Sequence, residues 1–140
     1  MIGNDFMAWV LHSPFHGLLS SGMMLITITG LKTGKAITTP VGYYEEGEFL
    51  WVTTRREGKW WRNLQGGASV NLLLKRKPIQ GFAELELDEK SVEKRMYEYL
   101  RHIPMAAKRM GIRMDDKSPN AEDIAHTAKD RLFVKIKLSK

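Results

Sequence analysis

Cysteine is absent from this 140-residue chain. That one absence removes a disulfide framework, a thiolate metal site and a cysteine nucleophile, and it fits a reducing compartment, so the cytoplasm is the expected location. Long apolar runs are also missing: no stretch approaches the roughly 20 residues needed to span a bilayer. The first apolar stretch, Phe6–Leu11, is short and has no basic region before it, which argues against a secretory signal. Acidic residues are the minority, 16 against 22 Lys and Arg, for a net charge of +6. The imbalance is local. Residues 32–77 carry nine basic and four acidic side chains, so five of the six net charges fall in one third of the chain. Such a surface suits an anionic partner, whether phosphate ester, nucleic acid or anionic membrane, without choosing among them.

What is present is ordinary for one globular domain: 43% hydrophobic and 27% charged residues, with no repeat, low-complexity tract or linker. The pattern predicts a helix over about 4–19, interrupted by Ser13-Pro14, and then a β-branched buried strand over Met23–Thr29. Gly30 and Gly34 bracket a turn before a second strand, Ala36–Tyr44, in which Pro40 demands an edge or a bulge. A third strand is expected at Glu48–Thr54, a single helical turn at Lys59–Gln65, and a hairpin of Ser69–Lys75 with Ile79–Leu87. Asp88 is placed to cap a helix running to about Gly111, with an apolar stripe of Val92, Met96, Tyr99 and Leu100. Asn120 would cap a shorter helix, completing a helical segment over about 88–128, and a closing strand follows at about 131–138. Strands in hairpin order argue for an antiparallel sheet or barrel over a Rossmann-type fold.

Several stretches invite chemistry. Gly30-Leu31-Lys32-Thr33-Gly34-Lys35 has three residues between its glycines where a phosphate loop needs four, Ala36 follows the lysine, and a strand comes next instead of a helix. It is therefore read as a hairpin turn with two lysines and exposed backbone N–H groups, an anion cradle at most. Lys59-Trp60-Trp61-Arg62-Asn63-Leu64 puts two tryptophans side by side, and both cannot face the core of a one-turn helix. His12 and His16 have metal-pair spacing, but Pro14 breaks the helix that would align them. His102 and His126 have no obvious carboxylate partner pattern, so no metal is expected. No serine stands in a nucleophile-elbow setting, and no catalytic acid or base is assigned.

Two of these stretches together resemble a known family. Leu25-Ile26-Thr27-Ile28-Thr29-Gly30-Leu31-Lys32-Thr33-Gly34-Lys35, followed by Thr38-Thr39-Pro40-Val41, is similar to the pattern LLTTTGRKSGKPRTTPL of the deazaflavin-dependent nitroreductases and quinone reductases. Trp60-Trp61-Arg62-Asn63-Leu64-Gln65-Gly66-Gly67-Ala68-Ser69-Val70 is similar to that group's WYxNLxANPxV, in register and without a gap. The resemblance covers about residues 8–87. It implies a mainly β fold, an antiparallel split β-barrel of the pyridoxamine-oxidase and flavin-reductase type with flanking helices, often a homodimer. It also implies a cofactor, FMN or the deazaflavin coenzyme F420, lying across the barrel wall. By matching positions, Lys32 would meet the cofactor's phosphate or acidic tail, and Thr38, Thr39, Pro40 and Val41 would line it. Val52, Thr53, Thr54 and Arg55 would border the ring and ribityl chain, while Lys59, Trp60, Trp61 and Asn63 would close the far side. The family's frequent arginine after GKP is Ile37 here, and the loop from Thr54 to Trp60 is shorter than in typical members, with Arg55, Arg56 and Lys59 as compensation.

The function expected from the resemblance is hydride transfer between the cofactor and a small electron-poor acceptor such as a quinone or nitro compound. Tyr43 and Tyr44 are candidates for the substrate side. The cofactor carries the chemistry, and the protein supplies binding, orientation and exclusion of water. A non-catalytic barrel that binds or sequesters a flavin, haem or lipid-like molecule is the alternative. A nucleic-acid surface ranks below both, since the basic residues fall on the cofactor motifs and turns. The stretch Phe6–Leu19 lacks the basic face of a membrane-surface helix, so packing on the barrel is favoured over a membrane.

Overall fold

In a computed structural model of the chain, residues 23–74 and 77–139 are described. The expected helix over 4–19, with His12 and His16, lies outside them. The β-branched run Met23–Thr29 forms β1, and the Gly30–Lys35 turn returns it antiparallel as β2, Ala36–Glu46. β3 (Phe49–Arg55), β4 (Ala68–Leu74) and β5 (Lys77–Glu86) follow in sequence order. With the last strand, β8 (Arg131–Leu138), they close into a six-stranded antiparallel barrel in the order β1-β2-β3-β8-β5-β4, a split β-barrel as the resemblance implied.

Strand alternation sorts side chains into two cores. Met24, Ile26, Ile28, Val52, Leu72, Leu132, Val134 and Ile136 fill the barrel, whereas Tyr44, Trp51 and Phe133 point outward and are covered by helices. The cover is α1 (Glu89–His102), α2 (Ala106–Met110) and α3 (Ala121–Asp130). α1 buries Val92, Met96, Tyr99 and Leu100, the stripe read from its spacing, and Asp88 accepts the Ser91 N–H at 3.1 Å as its cap. Asn120 caps α3 by accepting the Asp123 N–H at 3.0 Å.

The helical segment is not continuous. The helix expected to reach Gly111 ends at His102, because Pro104 pushes Ile103 out of the helical region, to φ −130° and ψ 74°. A short second helix, α2, then starts in a new direction and ends at Gly111. Between α2 and α3 a two-stranded hairpin of β6 (Met114–Asp115) and β7 (Ser118–Pro119) interrupts what reads in sequence as solvated helix. No helix among the described residues is long and apolar enough to cross a membrane.

β8 (Arg131–Leu138) starts immediately after α3 and sits between β3 and β5. Its approach to β5 requires a glycine at Gly81, where a Cβ would lie 2.7 Å from Ile136 Cγ2 and 2.9 Å from the Lys137 carbonyl oxygen. Since backbone cannot swing aside as a side chain can, Gly81→Ala should lower stability by about 1–3 kcal/mol in urea denaturation. An unchanged midpoint would contradict this packing.

Candidate functional site

β2 changes partner part-way along. From Ala36 to Gly42 it pairs with β1, and from Gly42 to Glu46 it pairs with β3. β3 meanwhile continues to Arg55 against β8 alone. The barrel wall is therefore split between Ala36–Val41 and Thr54–Arg55. Pro40, opposite Leu25 of β1, has no partner on the β3 side among the described residues, the edge position that a proline in a strand demands.

The split opens into a cavity of about 290 Å³. One wall is strand: Pro40, Val41 and Gly42 of β2, with Thr53, Thr54 and Arg55 of β3. The other is Tyr99 of α1 and Ala106, Arg109 and Met110 of α2, with Arg131 at the start of β8. Arg131 donates from Nη1 to Thr53 Oγ1 at 3.2 Å. Burial depresses the Arg131 pKa, and the charges of Arg55 and Arg109 depress it further. Burial likewise raises Tyr99 above the ordinary phenol value, so its hydroxyl keeps its proton at neutral pH.

The second cavity, about 550 Å³, lies at the barrel end between the Gly30–Lys35 turn and the 3-10 turn Trp60–Leu64. Lys32, Lys59, Arg62 and Glu57 line it, a net charge of +2. One side chain ties its two walls together: Asn63 Oδ1 accepts the Leu31 N–H at 2.9 Å while Asn63 Nδ2 donates to the Trp60 carbonyl at 2.9 Å. The two sequence signatures thus meet in space through this amide. The turn itself is more closed than its glycines suggest. The Gly30 and Gly34 N–H groups bond within the turn at 2.8 Å, that of Lys35 bonds to Thr33 Oγ1, and that of Leu31 is taken by Asn63. Its lysine, more than a cradle of backbone donors, faces the cleft.

The structure thus brings Pro40, Val41, Thr53, Thr54 and Arg55 to the first cavity, and Lys32, Lys59 and Asn63 to the second. Thr38 and Thr39 lie on β2 between them, Thr38 sharing a 2.8 Å hydrogen bond with Thr27. Trp60 sits at the rim, donating to Thr54 Oγ1 at 3.2 Å, whereas Trp61 is buried and donates to the Arg56 carbonyl. Val52 and Tyr43 are in the barrel interior. Tyr44 is under α1, stacked on His102 at 4.7 Å and accepting from Arg95 at 3.2 Å. Neither tyrosine lines either cavity. Arg56, read as part of the compensating basic loop, is turned away: it donates to the carbonyls of Leu87, Ala128 and Arg131. His126 has a carboxylate partner that the sequence reading missed, Asp130 at 3.9 Å, at the surface. Among the described residues no group of three metal-ligating side chains occurs.

Tyr99, Arg109 and Arg131 were not legible as site residues. Tyr99 belongs to an apolar stripe, and Arg109 reaches the cavity only because of the break at Pro104.

A family model described as F420H(2)-dependent quinone reductase matches residues 14–113. The chain belongs to that family. No match was found among curated proteins. Solved structures that resemble this quinone-reductase family member share its fold at low identity. A provisionally described pyridoxamine 5′-phosphate oxidase from Listeria innocua is 13% identical with a TM-score of 0.56, over 90% of this chain and 91% of its own. An F420 reductase is 12% identical with a TM-score of 0.53, over 91% and 95%. A provisionally described 5-nitroimidazole antibiotic resistance protein from Bacteroides thetaiotaomicron is 16% identical with a TM-score of 0.53, over 88% and 76%. The description of this quinone reductase family names F420H(2), a reduced deazaflavin, as what its members depend on.

The Asn63 bridge sets a test in this family member. Asn63→Ala removes both of its hydrogen bonds and should cost about 1–3 kcal/mol in urea denaturation. Asn63→Asp keeps the acceptor toward Leu31 and should cost less. Equal losses would show that the Leu31 contact contributes nothing.

Proposed function

We propose that the chain is a reductase that holds a deazaflavin or flavin along the free edge of β2 and passes a hydride from it to a quinone-like or nitro acceptor. One observation carries this reading: the two cavities lie at the two ends of a single unpaired strand edge. Ile37 lines the basic cleft and Pro40 lines the split, three residues and about 10 Å apart along β2, comparable with the reach of a ribityl chain. The residues fit such a group. Lys32, Lys59 and Arg62 outweigh Glu57 in the cleft and suit a phosphate or an acidic tail. Pro40 and Val41 offer an apolar strip to a planar ring, and Thr53 and Thr54 offer hydroxyls beside it.

When bound, the cofactor supplies the hydride, and the acceptor takes it with a proton. The chain's own contribution is placement. Asn63 holds the Lys32 turn against the tryptophan turn, and the Trp60–Thr54 hydrogen bond fixes the rim between the cavities. α1 and α2 cover the split from outside and limit water there. With Ile37 in place of an arginine, the cleft relies on Lys32, Lys59 and Arg62. That basic density favours F420, whose tail carries more negative charge than the single phosphate of FMN.

The test is an absorption spectrum of the purified protein followed by titration with FMN and with F420. At least one should bind, and Lys32→Ala should weaken binding by about tenfold, the worth of a charge-assisted contact. Lys90→Ala, at an exposed position of α1 paired with Glu93, should leave it unchanged. If neither cofactor binds, the reading fails. Binding without turnover of any quinone or nitroaromatic acceptor would assign the barrel to cofactor carriage instead.

A further inference from the structure

The helix side of the split cavity has a chemistry that neither cofactor motif accounts for. Three guanidinium groups, Arg55, Arg109 and Arg131, line a space of about 290 Å³ with no carboxylate among its lining residues. Arg55 and Arg131 are directly opposite each other in the β3–β8 ladder, a placement of like charges that destabilises a sheet unless something offsets it. Arg55 has one exposed ion pair, with Glu57 at 3.4 Å, and exposed pairs of this kind contribute little. Among the described residues, Arg109 and Arg131 pair with no carboxylate. The backbone forces the arrangement: Arg56 anchors the α3–β8 junction through the carbonyls of Ala128, Asp130 and Arg131, which fixes Arg131 beside Arg55.

A second, independent feature points into the same space. Tyr99 lines the cavity, and its hydroxyl, which makes no hydrogen bond among the described residues, is free to donate into that space. The site preserves room for this hydroxyl, since a Cβ on Gly42 would lie 2.5 Å from the Tyr99 oxygen. Three cations and one unpaired O–H donor, with Ala106 and Met110 as apolar neighbours, make a complementary set for the carboxylate of a flat aromatic molecule.

We infer that this pocket selects an anionic acceptor: an aromatic quinone or nitro compound whose carboxylate is held by Arg109, Arg131 and the Tyr99 hydroxyl. This rests on the proposed reductase reading. It leaves the β2 edge to the cofactor and assigns the helix side of the split to the acceptor. Arg109 and Arg131 are specificity-determining residues in this account, and no bond is made or broken at them.

The experiment compares two isosteric probes, 2-naphthoate and the neutral 2-naphthamide, by calorimetric titration of the cofactor-loaded protein and of the protein alone. Naphthoate should bind at least about tenfold more tightly, as charge-assisted hydrogen bonds require, and its affinity should fall with added salt. Arg109→Gln and Arg131→Gln should each abolish most of that preference, and Arg109→Gln, at an exposed position, should leave FMN and F420 affinity unchanged. Tyr99→Phe should weaken naphthoate alone. Equal binding of the two probes overturns the inference, as does a preference that survives in both arginine variants. Competition between naphthoate and the cofactor also overturns it, because the arginines would then belong to the cofactor. A naphthoate preference without any cofactor binding keeps the anion pocket and removes the reductase reading. Cofactor binding without the preference does the reverse.

Discussion

The partner change of β2 at Gly42 is the constraint on which the rest of the structure depends. A barrel strand paired on both edges along its whole length would present no free edge to a ligand. Here β2 leaves β3 at Gly42 while remaining with β1 back to Ala36, and β3 continues alone with β8. The gap lies between the β1–β2 and β3–β8 ladders, so the opening is bordered by strands instead of by loops. Two residue types make it possible. Pro40 has no N–H to offer and sits on the stretch of β2 that does not pair with β3. Gly42, at the apex, leaves the space into which the Tyr99 hydroxyl points.

The junctions around the split are held by side chains that satisfy backbone groups far away in sequence. Arg56 takes carbonyls at the end of α3, where a helix leaves acceptors without partners, and one more at Leu87. This lets β8 begin with no intervening loop. Asn63 plays the same part at the barrel end, joining turns 32 residues apart. Outside the barrel, Arg95 lies 3.6 Å over the Trp51 ring and bonds to Glu46 at 2.9 Å, fastening α1 to β2 and β3. Positive charge in this protein is therefore divided. Arg56 and Arg95 act structurally, while Lys32, Lys59, Arg109 and Arg131 face cavities.

Much of the fold was legible because its signals are local. β1 coincides with its β-branched run, and the caps at Asp88 and Asn120 needed only three residues of context. The adjacent tryptophans were bound to part company for steric reasons, and they do, Trp61 inward and Trp60 at the rim. The break at Pro104 was available in the sequence, although the helix was expected to run through it to about Gly111. The β6–β7 hairpin had no signal, since two-residue strands carry no periodicity.

By itself the sequence determined the succession of strands and helices along the chain, the alternation of the strands at Ile79–Leu87 and Leu132–Leu138, and two motif segments whose pairing points to a flavin-type cofactor. These follow from short-range rules, a period of two along strands and residue types at turns and caps. Only the tertiary structure decided where β2 stops pairing with β3, because register is a property of two strands and not of either one. It also decided that Tyr43 and Tyr44 fall in the two hydrophobic clusters while Tyr99, Arg109 and Arg131 share a cavity. Those three residues come from two helices and a strand start up to 32 positions apart. Their meeting depends on the bend at Pro104 and the anchor at Arg56, and no spacing in the chain encodes it.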